Sequence, residues 1–383
     1  MIAAQELPLS LYVHIPWCVR KCPYCDFNSH QRPAQLPEER YVDALLADLD
    51  VESAYALERP LVSIFFGGGT PSLFSAAALK RILDGVRARL ALAPDCEITL
   101  ETNPGTAEFD RFEGYREAGV NRLSFGVQSF DDPTLKRLGR IHGAAEVHRA
   151  WGLARGAGFD NINLDLMFAL PGQTPAAALA DLEQALALAP EHLSHYQLTL
   201  EPQTVFARTP PPDLPDDEAA AQMQEDCQQA LARAGYRHYE VSAYAQPGRE
   251  SRHNRNYWLF GDYLAIGAGA HAKTTDAQGR IHRRVRQRTP TQYQALAGTP
   301  AALIEDRVVD TAEVCFEFML NALRLREGFA AGLFAARTGL QLDALSGYAQ
   351  AISRGLLQAD GGQVRPTELG WRFLNDTLEL FLP

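Results

Sequence analysis

Apolar residues over the first two hundred positions follow two alternating patterns. Short runs rich in Val, Ile, Leu, Phe and Tyr occur at residues 11–15, 61–66, 97–101, 122–127, 162–168 and 193–200. Longer stretches with helical spacing lie between them, at 38–57, 76–90, 111–118, 144–157 and 175–188. Short apolar runs alternating with amphipathic segments read as βαβ units, whose crossover connections build a parallel sheet. The pattern predicts an α/β fold with an incomplete (β/α)6 barrel, because a closed eightfold barrel needs further units.

Beyond residue 200 the pattern changes. A proline-rich stretch at 210–217 predicts an extended linker, followed by a helix at 218–234 and a strand at 238–244. Residues 248–269 mix Gly, His, Asn and aromatics without a period, which predicts a loop. From about residue 305 the spacing turns helical. The expected organisation is therefore a barrel at 1–210, an extension at 211–300, and a small mainly helical C-terminal domain at 301–383, of winged-helix type.

Composition adds three constraints. The chain has 383 residues with 46% apolar, enough for a large core. Its formal net charge of −11 disfavours nucleic acid as a general partner. No apolar run approaches the ~20 residues of a membrane span. Six cysteines without a secretory leader predict a cytoplasmic protein with reduced thiols, whose membrane contact, if any, is peripheral.

Three of those cysteines carry the strongest chemical signal. Cys18, Cys22 and Cys25 stand as C-x3-C-x2-C in LYVHIPWCVRKCPYCDF, with Tyr24 before the last and Cys96 the next in the chain. Three thiolates on one loop suit a cubane iron–sulfur cluster with one iron left open. A zinc site completed by His14 or His30 is the competing reading, and a redox pair of Cys22 and Cys25 a weaker one. Cys96, Cys227 and Cys315 sit in apolar or amphipathic stretches and read as buried thiols.

Other unusual residues fall where the predicted strands end, which in parallel barrels is the active face. Gly67-Gly68-Gly69-Thr70-Pro71 follows the second strand, Glu101 ends the third and Gln128 the fourth. Asp165 lies in the fifth, and Thr199 and Glu201 close the sixth. Glycines allow close backbone approach to a ligand, and their N–H groups can donate to it. Glu101 suits an ammonium group, Asp165 suits ribose hydroxyls or an ammonium, and Arg140 suits a carboxylate.

Taken together, YVHIP with the cysteine motif, GGGTP, ETNPG and GVQSF resemble the radical S-adenosylmethionine enzymes. More narrowly they resemble the oxygen-independent coproporphyrinogen III oxidase-like group, over nearly the whole chain. The resemblance implies a [4Fe–4S] cluster on Cys18, Cys22 and Cys25. S-adenosylmethionine would bind its open iron, and one electron would cleave it to a 5′-deoxyadenosyl radical. It implies cofactor contacts at Tyr12, Gly68, Gly69, Thr70, Glu101, Gln128, Arg140 and Asp165, and Tyr24 packed beside the cluster.

The group contains oxidases and haem chaperones. The oxidases carry a fourth cysteine two residues after the third and an N-terminal extension. Here that position is Phe27, and about ten residues precede the first strand. The chaperone branch carries H-N-x-x-Y-W, present as His253-Asn254-Arg255-Asn256-Tyr257-Trp258, and the Gly261–His271 pattern. The resemblance thus implies haem binding and delivery to recipient haem proteins, including membrane-associated respiratory enzymes. His253, Tyr257, Trp258 and His271 are the haem candidates, and coproporphyrinogen oxidase activity is expected to be absent. A cluster serving only structure or electron transfer is the third reading; the strand-end residues argue against it, because an electron carrier needs no small-molecule pocket.

Overall fold

The computed structural model describes residues 2–106 and 111–383. Six strands cross the middle of one sheet in chain order: β1 (Leu9–Ile15), β2 (Leu61–Gly68), β3 (Leu92–Thr102), β4 (Arg122–Gln128), β5 (Ile162–Phe168) and β6 (His192–Gln197). Each pairs parallel with the next. They are buried on both faces, as sheets covered by crossover helices must be. Those helices include α1 (Glu38–Glu52), α2 (Ala76–Arg87), α3 (Arg111–Ala118), α4 (Asp132–Arg137), α5 (Ala144–Gly156), α6 (Pro175–Ala187) and α7 (Asp217–Arg233). The chain forms an incomplete parallel (β/α) barrel, as the apolar pattern predicts.

The sheet then continues past both ends of the barrel. The strand expected at 238–244 is split into β7 (Arg237–Glu240) and β8 (Ala243–Ala245), with β8 antiparallel to β6. On the other side, residues 248–269 are not a loop. They contain the short helix α8 (Arg252–Trp258) and the strand β9 (Asp262–Ile266), parallel to β1 from Leu9↔Asp262 to Val13↔Ile266. Tertiary pairing supplies what five residues between glycines could not signal alone. Antiparallel strands β10 (His271–Thr275), β11 (Ile281–Arg286) and β12 (Leu303–Val308) follow. Thus β12, expected near the start of a helical region, belongs to the large sheet.

The C-terminal part has its own apolar core around Phe318, Phe329 and Phe334, to which Ile2, Leu7 and Phe260 contribute. It contains α9 (Thr311–Ala322), helices Ala331–Thr338 and Ser346–Ser353, and a three-stranded antiparallel sheet. Phe318 meets both Phe329 and Phe334 edge-on, at 5.0 and 5.1 Å between ring centroids.

A buried ionic cluster fastens the sheet extension to the barrel. Asp48 and Glu52 of α1 face Arg284 and Arg286 of β11, all of them buried. Arg284 meets Glu52 at 2.9 Å, Arg286 meets both carboxylates, and the Tyr293 hydroxyl donates to Asp48 at 2.8 Å. Removing one partner of such a group strands charge in a dry interior. Glu52→Ala should therefore destabilise the protein by about 3–5 kcal/mol in urea denaturation. An unchanged midpoint would mean the cluster contributes little.

Candidate functional site: two adjoining cavities

The C-terminal ends of β1–β5 point to one rim, and the cysteine loop is pinned across it. Gly69 N–H donates to the Ile15 carbonyl at 2.7 Å and Thr70 N–H to that of Trp17 at 2.8 Å. A Cβ on Gly69 would lie 2.6 Å from the Trp17 carbonyl oxygen, so no larger residue permits this approach. Further along, Asn28 Nδ2 donates to the Ala268 and Arg288 carbonyls, each at 2.9 Å. Lys21 Nζ donates to the Phe27 carbonyl at 3.0 Å.

This arrangement encloses a cavity of about 160 Å³. Its walls include Cys18, Cys22, Cys25, Tyr24, Gly68, Gly69, Thr70, Glu101, Gln128, Arg140 and Asp165. The three thiols are free of disulfides. Arg140 donates to Cys22 Sγ at 3.7 Å and to the Gly126 carbonyl at 2.5 Å, while its buried Nε has no partner among the described residues. Tyr24 packs against Phe206, whose N–H donates to the Pro23 carbonyl at 3.0 Å. Gln128 holds a left-handed backbone (φ 72°) and accepts from the Tyr196 hydroxyl at 2.8 Å. Strain of this kind persists only where surroundings enforce it.

Two carboxylates share the cavity. Burial pushes Glu101 up to about 8, and the neighbouring Asp165 adds to this, opposed by the Gly68 N–H at 3.2 Å. Burial also raises Asp165, against hydrogen bonds from Asn163 Nδ2 at 2.7 Å and Ser124 Oγ at 3.2 Å. Two desolvated, mutually repelling carboxylates favour a cationic guest. The glycine amides, by contrast, are spent on Ile15 and Glu101, so Gly68 and Gly69 build the wall and do not offer those N–H groups to a ligand.

A larger cavity of about 520 Å³ adjoins the first through Phe27, Gly68 and Glu101, which line both. Its walls are aromatic, with Tyr12, Phe65, Tyr257, Trp258, Phe260 and Tyr263, and also carry His14, His271, Lys273 and Arg283. Tyr12, expected among the cofactor contacts, faces this second space. His253 does not line it: the ring is buried against Phe65. His14, the alternative zinc ligand, has its Nδ1 at 2.7 Å from the Tyr12 hydroxyl and its Nε2 at 2.9 Å from the Asn28 carbonyl. Thr199 and Glu201 lie beyond β6, outside both cavities.

Some wall residues escaped the sequence reading. Phe27 was noted for the cysteine it replaces, yet it is 61% exposed and forms the partition between the cavities. Lys273 and Arg283 come from β10 and β11, HAKTT and IHRRVR, which are mostly polar and carry no motif to mark them. Only the pairing of β9 with β1 brings them to the rim.

Comparison with known proteins places this geometry. Residues 12–185 match the radical SAM superfamily and residues 309–373 match the HemN C-terminal domain. The heme chaperone HemW of Escherichia coli is 52% identical over 376 residues, covering 98% of both chains. The chain belongs to the HemW family. The heme chaperone HemW of Bacillus subtilis is 36% identical, over 97% of this chain and 99% of its own. The fold also matches the structure of the Escherichia coli coproporphyrinogen III oxidase HemN, a radical SAM enzyme. That likeness has a TM-score of 0.83 at 24% identity, and covers 99% of this chain and 91% of that one.

In this HemW-family chain the raised Glu101 has a consequence that needs no ligand. A carboxyl at about 8 when folded and 4.5 when unfolded loses its stabilising contribution as pH rises from about 4.5 through 8. Glu101→Gln, neutral throughout, should match the wild type in stability near pH 4.5 and exceed it at pH 8. Urea denaturation at the two pH values measures this. Equal gaps at both would show that Glu101 titrates normally.

Proposed function

We propose that this chain is a haem chaperone. It holds a [4Fe–4S] cluster on Cys18, Cys22 and Cys25, S-adenosylmethionine in the smaller cavity and haem in the larger one. It passes haem to haem-dependent proteins, including respiratory enzymes, met in the cytoplasm or at a membrane surface. Among the described residues no helix is long and apolar enough to cross a membrane.

The observation that carries this reading is the larger cavity and its position. Haem is a flat apolar ring with an iron that takes an axial donor and two propionates that take cations. The cavity supplies aromatic faces from Phe27, Tyr257 and Trp258, an imidazole from His271 and a part-exposed guanidinium from Arg283. It opens on the cysteine pocket through a shared wall.

The smaller cavity fits the family's cofactors. Among the described residues no three His, Cys, Asp or Glu side chains close round a single ion. A cubane asks for something else, since it takes each thiolate on a different iron. The cluster, when bound, supplies the electron that cleaves S-adenosylmethionine. The chain's own part is to hold and orient. Glu101 and Asp165 face a cationic guest, Arg140 sets a positive charge beside Cys22, and Thr70 contacts Cys18. Binding of a cation draws the Glu101 proton off, so affinity should rise with pH up to about 8.

Coproporphyrinogen III oxidation is not favoured. The full-length relatives at 52% and 36% identity are named as chaperones, and the 24% likeness to the oxidase speaks to the fold. Phe27 fills the place of the oxidase's fourth cysteine with a ring exposed to both cavities.

Anaerobic reconstitution with iron and sulfide tests the account. Wild type should bind about four irons and show broad visible absorption, and replacing all three cysteines by Ala should abolish both. Titration with haem should give a saturable Soret change, and coproporphyrinogen III with reductant and S-adenosylmethionine should not be turned over. Cluster retained in the triple variant, or protoporphyrinogen IX formed at a catalytic rate, would contradict the proposal.

A further inference from the structure

Three histidines lie on or beside the larger cavity, and they differ in what their rings are free to do. His14 has both nitrogens engaged, by the Tyr12 hydroxyl and the Asn28 carbonyl. His253 is 5% exposed, and its ring lies flat on Phe65, 4.1 Å between centroids and 11° between planes. Its Nδ1 is 3.2 Å from Glu97 Oε1 and 3.1 Å from Ser251 Oγ. His271, at the start of β10, is exposed on the cavity wall. Among the described residues its side chain has no hydrogen-bond partner.

We propose that His271 is the protein's ligand to haem iron, and that His253 is a positioning residue that holds α8 so that Tyr257 and Trp258 wall the cavity. The proposal rests on the haem reading of that cavity.

The surroundings of His253 explain why its residue type is needed without placing it on the iron. Glu97 of β3 accepts from the N–H groups of Arg252 and His253 at 3.0 and 3.2 Å, fixing the first turn of α8. Burial alone would raise Glu97, but the His253 hydrogen bond and the Arg122 charge hold it at about 2. Asn256 does the same job at the other end, donating to the Asp262 carbonyl at 2.9 Å. A polar chain then runs inward from the helix start. Ser251 N–H meets the Tyr239 hydroxyl at 3.3 Å, that hydroxyl meets His192 Nε2 at 2.8 Å, and His192 Nδ1 meets Asn163 at 2.6 Å. Asn163 ends on Asp165. To reach a haem iron, His253 would have to give up its contacts with Glu97 and Ser251 and its stacking on Phe65, leaving Glu97 to Arg122 and the backbone N–H groups alone, a costly rearrangement. His271 has nothing to give up. Its surroundings and then the Arg288 charge lower its pKa, which favours the neutral imidazole that binds metal.

Ferric haem titrated into the full-length protein and three variants tests this. His271→Ala should shift the Soret maximum and weaken binding by about tenfold or more, and added imidazole should restore the wild-type spectrum. His253→Ala and Glu97→Gln should both weaken binding yet give the wild-type Soret maximum at saturation. Glu97→Gln keeps the imidazole, so it separates positioning from ligation even if His253→Ala folds poorly. A wild-type spectrum in His271→Ala would overturn the assignment, as would a shifted maximum in His253→Ala with unaltered binding in Glu97→Gln. No saturable Soret change in the wild type would remove the haem reading and this inference with it.

Discussion

Everything at the rim depends on how closely three backbones approach at the end of β1. Gly69, after β2, presses on the Trp17 carbonyl, and Gly267, after β9, presses on that of His14, where a Cβ would collide. The first approach lays the cysteine loop against the barrel rim. The second brings β9, and with it β10 and β11, against the other side of the same strand. One strand end thus holds a pocket on each flank. Gly68, Glu101 and Phe27 belong to both pockets because they stand between those flanks.

The electrostatics follow from that geometry. The smaller pocket gathers two carboxylates away from water, which raises both and suits a positive guest. The larger one gathers aromatic faces with cations already held. Lys273 donates to Asp262 at 3.1 Å, and Arg283 pairs with Glu317 at 2.7 Å. Both cations are held rigidly and balanced by a carboxylate, and the three Lys273 donors are taken by Asp262 and the Phe260 and Gly261 carbonyls. In both pockets the charges are in place without a guest, and a large apolar space lies beside the one lined by the three cysteines.

Much of this was legible in the sequence, for identifiable reasons. The six barrel strands are buried on both faces, so their apolar runs stand out whatever the neighbours. The helix predicted over 111–118 has those bounds in the structure, and most other ends lie within a few residues of the predicted ones. The cysteine spacing is local chemistry and survives without a fold. What failed was whatever depends on a distant partner. The strand β9 is five residues long and holds its form by pairing with β1 across some 250 positions. The Gly68 and Gly69 amides read as ligand donors because nothing local shows that Glu101 and Ile15 already take them. The motif makes His253 a haem candidate, and its hydrogen bond to Glu97 on β3 is a contact that no local pattern signals.

The central claim is that haem sits in the larger cavity, one wall away from the cluster. Crystals of the reconstituted, haem-loaded protein, with data at the iron absorption edge, test it most directly. The account predicts two separate anomalous peaks, one at Cys18, Cys22 and Cys25 and one among Phe27, Trp258 and His271. A haem peak on the outer surface, with the cavity holding only solvent, would contradict it.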